Sequence, residues 1–416
     1  MRLLYAIPRY GPQFMSNETH GEVVRELLRL GLEVDVLSFT TRDHAGGPGG
    51  WGSGFGNERV YRHIQNATML ERLSTPLARY GLHYEYFGSM LAGYLALTRQ
   101  QSYDLIHLEG TFPLGAIAAL AHPHIQRPYV ITTTGGDLFR LPGQGYGYGH
   151  HLLPRTLMRL ALRYAAWVRT NSRLSARLCL GYGANPQRIT PLPVSIANAG
   201  YPPADQPLAA YRATCRQQVS AQFGWSDTTM PTLVCVGRLI SVKAPELVIA
   251  ALPAIIKAIG PVRLCIIGPA RVDPLKGDYL AFLQQRAAEL AVSPFCTFTG
   301  LIPPTEIKTY LAAADLLVVP SLIEGLNRVV MEAGAVGTPT VISDGAGAAE
   351  LVAIYGCGLM TPAGNIAALA HAITRMLTTP QALAQCGERA LHLADDCSAA
   401  GIARGLVAIY QHALNR

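Results

Sequence analysis

The hydrophobic positions of the chain fall into short unbroken runs, separated by stretches in which apolar residues recur every three or four positions. In the first half the runs are RLLYAIP, EVDVLSF, YDLIHLEG, PYVITTTGG and WVRTNS, with a further short one at RITPLPV. In the second half they are TLVCVGR, VRLCIIGP, CTFTGLI, DLLVVPS and PTVISD. Runs this continuous and this rich in branched residues predict strands buried on both faces. The amphipathic stretches between them predict covering helices, so the fold class is α/β with parallel sheets.

The pattern breaks at Ser195–Pro207, SIANAGYPPADQP, which is polar, Pro-rich and without periodicity. It is the expected linker between two doubly wound, Rossmann-like domains. Residues 1–197 form the first, residues 208–395 the second, and residues 396–416 a final amphipathic helix that returns across the domain interface. With 416 residues, the chain exceeds the size at which one core stops growing, which agrees with two domains. The stretch Gly46–Gly56, GGPGGWGSGFG, reads as a flexible loop. Two such domains facing one another bring the carboxyl ends of both sheets to one cleft, where ligands of open α/β sheets bind.

Composition narrows the classes. Half of the residues are hydrophobic and 15% are charged, which excludes extensive disorder. The formal charge of +7 leaves open nucleic acid, a membrane surface or an anionic small molecule. Eight cysteines without a CxxC pair fit a reducing cytoplasm better than a disulfide framework or a zinc site. No run supplies the roughly 18 apolar residues of a membrane span, so the expectation is a cytoplasmic protein, at most peripheral on the inner face of the cell membrane.

Three stretches carry chemistry. In TLVCVGRLISVKAPEL a strand ends at Gly237, and the following turn bears Arg238 and Lys243, a fork and a point charge suited to a diphosphate. In VRLCIIGPA, Gly268 follows a strand and lets a ligand approach the backbone. In SLIEGLNRVVMEAGAVGTP, Glu324 and Gly325 stand at the expected mouth of a helix, with the amides of Gly325, Leu326 and Asn327 free to meet an anion. Continued helically from Glu324, Glu332 lies about 80° away around that helix. Taken alone, the two glutamates are as simply a helix-start carboxylate and an i,i+4 partner of Arg328.

They do not stand alone. The E-x7-E spacing after a strand, the GR…K pair well upstream and the Gly-rich VISDGAGAAE downstream together resemble the retaining GT4-type glycosyltransferases of GT-B architecture. SNETHGEVVRELLRLGLEVDVLS, YDLIHLEG, PYVITTTGGDL and RTNSRLSARL extend the resemblance over most of the chain. It implies transfer of a sugar from a UDP- or GDP-linked donor to a glycan, glycolipid or other hydroxyl acceptor, in the building of a bacterial polysaccharide or glycoconjugate. Arg238 and Lys243 would hold the diphosphate, Glu324 would lie by the sugar, and Glu332 would bind the ribose. Gly237, Gly268, Gly325, Leu326 and Asn327 complete the implied donor site. No cofactor is implied, and the absence of a D-x-D sequence argues against a carboxylate-held metal.

On the acceptor side the candidates are Gly11, Ser16, Asn17, His20, His107, Thr134, Gly135 and Asp137. The departures from the family pattern concentrate there. A single Gly11 with Ser16-Asn17 stands where many relatives carry a Gly-Gly pair, and Thr134 stands where His or Arg is frequent. Asn327 occupies a usual glycine position in the donor site.

A helix at HLLPRTLMRLALRYAAWVRTNSRL places Arg155, Arg159 and Arg163 at i, i+4, i+8. That pattern suits either a solvated face or an anionic lipid surface, with a lipid-linked acceptor in the second case. Alternatives on the same fold are a nucleotide-sugar epimerase, a phosphorylase-like enzyme or a non-catalytic nucleotide-sugar binder. Nucleic acid is not expected as a partner.

Overall fold

The computed structural model describes residues 1–11, 18–40, 50–56, 58–66, 68–133, 135–140, 147–197, 200–274 and 276–415. The chain divides into two compact units, Met1–Ser195 with Ala399–Arg416, and Ile196–Ser398.

The first unit is built on an eight-stranded sheet. Its strands are β1 (Arg2–Ala6), β2 (Glu33–Thr40), β3 (Gly50–Ser53), β4 (Arg59–Ile64), β5 (Leu105–Glu109), β6 (Tyr129–Thr133), β7 (Trp167–Thr170) and β8 (Ile189–Pro191). They lie in the order β3-β4-β2-β1-β5-β6-β7-β8, parallel except for the antiparallel β3–β4 pair. Every residue of β5 and β6 is buried, as a strand covered on both faces requires.

Two strands of this sheet escape the hydrophobic reading. β3 lies inside the Gly-rich stretch expected to be a loop, and β4, RVYRHI, carries polar side chains because its neighbour β3 closes the sheet edge.

The second unit contains β9 (Thr232–Val236), β10 (Arg263–Ile267), a two-stranded hairpin of β11 (Val272–Asp273) and β12 (Gly277–Asp278), then β13 (Cys296–Gly300), β14 (Leu316–Val319), β15 (Thr340–Ser343) and β16 (Gly358–Thr361). Six of these form an all-parallel sheet in the order β13-β10-β9-β14-β15-β16. Strand order therefore reverses between β1 and β5 in the first unit and between β9 and β14 in the second. Such reversals open a crevice at the carboxyl ends of the two strands.

The expected linker is pinned rather than free. Ile196 is fully buried and its amide donates to the Cys397 carbonyl at 3.0 Å, and the Tyr201 hydroxyl donates to the Ala394 carbonyl at 2.7 Å. The second unit thus begins at Ile196 rather than at residue 208.

The helix Ala399–Leu414 joins the first unit. Its Ile402, Leu406, Ile409 and Tyr410 share one core with Leu3, Tyr5, Val24 and Val36. Tyr410 is fully buried, and its hydroxyl lies 2.5 Å from Nδ1 of His107, whose Nε2 lies 2.6 Å from the Thr132 hydroxyl. Burial drives the His107 pKa down to about 4 against the opposing pull of Glu109, so the ring is neutral.

Burial also pushes the Glu109 carboxyl up. The neighbouring His20, His107 and Arg169, with the Tyr5 hydroxyl bond, outweigh it and hold the group below its ordinary value. Both folded pKa values are depressed. Their stabilisation is complete above the unfolded values, near 6.5 and 4.3, and is lost as pH falls through the folded ones. Acid titration followed by circular dichroism should therefore show stability falling below about pH 6.5. Tyr410→Phe, which strands a buried ring nitrogen, should lose about 1–3 kcal/mol in thermal denaturation at neutral pH.

Candidate functional site

The crevice between β9 and β14 gathers the second unit's candidate residues. After β9 the chain turns through Gly237 and Arg238 to Lys243, and after β14 it runs through Ser321 to Glu324. A pocket between these ends is lined by Gly237, Arg238, Lys243, Pro320 and Ser321. Lys243 and Glu324 form an ion pair through Nζ and Oε1, with side chains only 20% and 18% exposed. Arg238 is exposed and makes no ion pair among the described residues.

The approach of the two turns is enforced by the backbone. The Leu322 amide donates to the Val242 carbonyl at 2.8 Å, which ties the β14 loop to the β9 loop. The Glu324 amide donates to Gly345 at 3.0 Å, and the Gly347 amide returns a bond to Glu324 at 2.9 Å. Gly345 fits because a Cβ there would sit 2.1 Å from the Leu322 carbonyl oxygen. On the other side, the Ser241 amide donates to Oδ2 of Asp273 at 2.8 Å, anchoring the β9 loop to the β11–β12 hairpin.

Glu324 is therefore an extended residue bridging to Ala346, not the first residue of a helix. The helix starts four residues later, Arg328–Ala335, with Asn327 as its cap residue in an extended conformation. The expected 80° relation of Glu332 to Glu324 does not hold, because Gly325–Asn327 are not helical. Glu332 lies one turn into the helix and pairs with Arg328 at 2.8 Å, the i,i+4 partner that the spacing allowed. The amides of Leu326 and Asn327 carry no hydrogen bond among the described residues, as the start of a helix leaves them. Gly325 is buried beside them.

Asn327 has a role that its substitution for a glycine did not suggest. It is 2% exposed, and its Nδ2 donates to Glu324 Oε2 and, at 3.3 Å, to the Ser321 hydroxyl. The Ser321 hydroxyl in turn donates to Glu324 Oε2 at 3.2 Å. Three groups thus fix one carboxylate. Ser321 was not singled out from the sequence, although S-x-x-E, the capping-box spacing, stands in the quoted stretch. Asp273 had no signal in the sequence.

The first-unit candidates separate. Gly11 is buried just past β1, and His20 lies on the helix Glu18–Arg29, where its Nδ1 is 3.0 Å from the Tyr5 hydroxyl and 3.8 Å from Glu109. His107, expected on the acceptor side, is instead sealed in the core with both ring nitrogens engaged, so it has no nitrogen to offer a ligand. Asp137 also turns inward, its Oδ2 accepting from the amides of Thr111 at 2.7 Å and Phe112 at 3.1 Å. Burial raises its pKa while those amides oppose the rise. Gly135 forms the turn before it, with a hydrogen bond from its amide to the Thr133 hydroxyl at 3.3 Å. Ser16, Asn17 and Thr134 lie outside the described residues. Arg159 and Arg163 are exposed on the helix Leu152–Tyr164, and Arg155 is half-buried.

Residues 219–392 match the family Glycosyl transferases group 1, and residues 17–195 match the Glycosyl transferase 4-like domain. The chain belongs to the GT4-type glycosyltransferases of GT-B architecture. It is 30% identical over 188 residues to the GDP-mannose-dependent alpha-(1-6)-phosphatidylinositol monomannoside mannosyltransferase of Mycolicibacterium smegmatis, covering 44% of this chain and 47% of that protein. The matched segment thus spans about half the length of such curated relatives.

In fold, it superposes on a sucrose-phosphate synthase from Thermosynechococcus elongatus with a TM-score of 0.75 and 19% identity, over 99% of this chain and 98% of the other. Anabaena HepE in complex with UDP gives 0.70 and 19%, over 99% and 100%. Among the described residues, no helix is long and apolar enough to cross a membrane.

Gly268 tests the packing of this site. Its φ is +148°, and a Cβ there would lie 1.8 Å from the Gly237 carbonyl oxygen. Gly268→Ala must displace the β9 turn that carries Arg238 and Lys243, so it should cost about 1–3 kcal/mol in denaturant unfolding.

Proposed function

We propose that the chain transfers a glycosyl unit from a UDP- or GDP-linked sugar to a hydroxyl of a glycan or lipid-linked acceptor, with retention at the anomeric carbon. The observation that carries the reading is the Lys243–Glu324 pair at the β9/β14 reversal, flanked by exposed Arg238 and the unbonded amides of Leu326 and Asn327. Cations and N–H donors fixed at one carboxylate suit a ligand with a diphosphate at one end and hydroxyls at the other.

In this reading Lys243 exchanges Glu324 for the donor's diphosphate, with Arg238 beside it. Glu324, held by Ser321 and Asn327, accepts from sugar hydroxyls, and Glu332 accepts from the ribose. The bond from the anomeric carbon to the phosphate oxygen breaks as charge builds on the leaving diphosphate, which Lys243, Arg238 and the amides stabilise. The departing phosphate oxygen takes the acceptor's proton, so no protein nucleophile and no metal is required. A related GDP-mannose-dependent phosphatidylinositol monomannoside mannosyltransferase and a structural neighbour in complex with UDP support the donor and acceptor classes.

A panel of UDP-, GDP- and ADP-sugars assayed for transfer and hydrolysis tests the reading. Lys243→Ala should lower kcat/KM roughly 10²–10³-fold on whichever donor turns over. No turnover and no binding of any donor, with Lys243→Ala melting and behaving like the parent, would refute the transferase. Dialysis against EDTA should leave the rate within about twofold, since no role is assigned to a metal.

Asn327→Ala removes one charge-assisted bond from Glu324, worth about 1.5–3 kcal/mol. It also removes a buried amide oxygen that has no partner among the described residues. Turnover should therefore fall roughly tenfold or more while the melting temperature changes little.

A further inference from the structure

The first unit carries an apolar face that none of its described residues covers. The helix Met69–Leu82 exposes Met69, Leu70, Leu73, Leu77 and Tyr80, each between 65% and 80%. At 100° per residue these five fall within an arc of about 100°. Its buried residues, Glu71 and Ala78, lie on the other side and hold the helix to the unit. Exposed large apolar side chains scattered singly are ordinary, but five on one helical stripe mark an interaction surface.

The stripe continues onto a second helix. Where Met69–Leu82 ends, the His83 ring stacks on His151 at 3.5 Å, directly before the helix Leu152–Tyr164. That helix turns Leu152, Leu153 and Tyr164 outward together with Arg159 and Arg163, while Met158, Ala161 and Leu162 pack inward. The charges around the stripe are mostly positive. Arg72 and Arg79 flank it on the first helix, with Arg79 paired to Glu85, and Glu71 is turned into the unit. The second helix bears no acidic residue.

We infer that this two-helix face docks on an anionic lipid bilayer. The leucines, methionine and tyrosines would enter the boundary between headgroups and acyl chains, and the arginines would meet lipid phosphates. An apolar stripe with arginines at its margin and in its plane fits an interface that is greasy below and negatively charged above. A protein partner would call for acidic groups or hydrogen-bonding edges on its own side, whereas a bilayer supplies apolar depth and negative charge at once. The inference stands apart from the donor site and does not depend on the transferase chemistry.

Co-sedimentation of the full chain with phosphatidylcholine vesicles, with and without phosphatidylglycerol, tests it. The parent should partition onto the phosphatidylglycerol vesicles and far less onto the neutral ones, and salt should weaken the binding. Leu73→Glu with Leu77→Glu should lower the partition coefficient at least about tenfold. Arg159→Glu with Arg163→Glu should lower it by at least about fivefold for each position. All four side chains are exposed, so melting curves should match the parent's. If the leucine pair does not fold, the arginine pair decides alone. The proposal is overturned if the parent stays in the supernatant with every vesicle, or if the folded variants partition as the parent does. It is also overturned if the parent ignores vesicles and forms a dimer that the leucine pair dissociates.

Discussion

The second unit is organised by one constraint: an ion pair between two loops 81 residues apart must sit over the point where strand order reverses. Parallel strands buried on both faces can only return through helices, so all their following loops gather at one end of the sheet. At the reversal between β9 and β14 no crossover helix covers that end. A lysine and a glutamate brought there are partly withdrawn from water, and each is costly without the other. Ser321, Asn327, Gly345 and Val242 then fix where the carboxylate stands. The pair satisfies its own two charges, while exposed Arg238 and the amides of Leu326 and Asn327 beside it stay unpaired among the described residues.

The first unit solves a similar problem differently. At the ends of β5, β6 and β7 it buries His107, Glu109, Thr132 and Arg169 as one connected polar cluster, closed by Tyr5 and Tyr410. Arg169 also donates to the Leu192 carbonyl at 3.1 Å, so the cluster reaches past the sheet into the segment after β8. Such a network favours one arrangement of the helix Ala399–Leu414 over slipped ones, because any shift would strand several buried polar groups. The candidate acceptor histidine turned out to be part of this scaffold.

Eleven strands were readable from the sequence because strands buried on both faces leave continuous apolar runs. β3, β4, β11, β12 and β16 were not: β3 is a Gly-rich edge strand, its partner β4 carries polar side chains, β11 and β12 are two residues each, and the four-residue β16 leaves too short an apolar run. In the candidate site the residue types and their grouping were legible, since Arg238, Lys243 and Glu324 all follow strands. The local geometry was not. Reading Glu324 as the start of a helix ignored the β15 loop, whose Gly345 and Gly347 hold it extended. Asn327 looked like a departure from a glycine pattern, but with an ordinary extended φ of −100° its position has no need of glycine. The side chain instead contributes a donor to the carboxylate. Sequence position at a strand end does not say whether a side chain points outward or into the core: His107 is fully buried, and Asp137 is half-buried with its carboxylate on the amides of Thr111 and Phe112.

The route of the chain has a consequence for the order in which the protein is made. The second unit is one continuous stretch, Ile196–Ser398, whereas the first needs residues from both sides of it. On the ribosome, Leu3, Tyr5 and Val24 emerge early but lack the apolar partners Ile402, Leu406 and Ile409 until the second unit has been synthesised. The half of the protein that is translated first is therefore completed last. Through that interval an apolar face of its sheet stands open, and its exposure to chaperones and to misassembly is set by the translation time of the intervening unit.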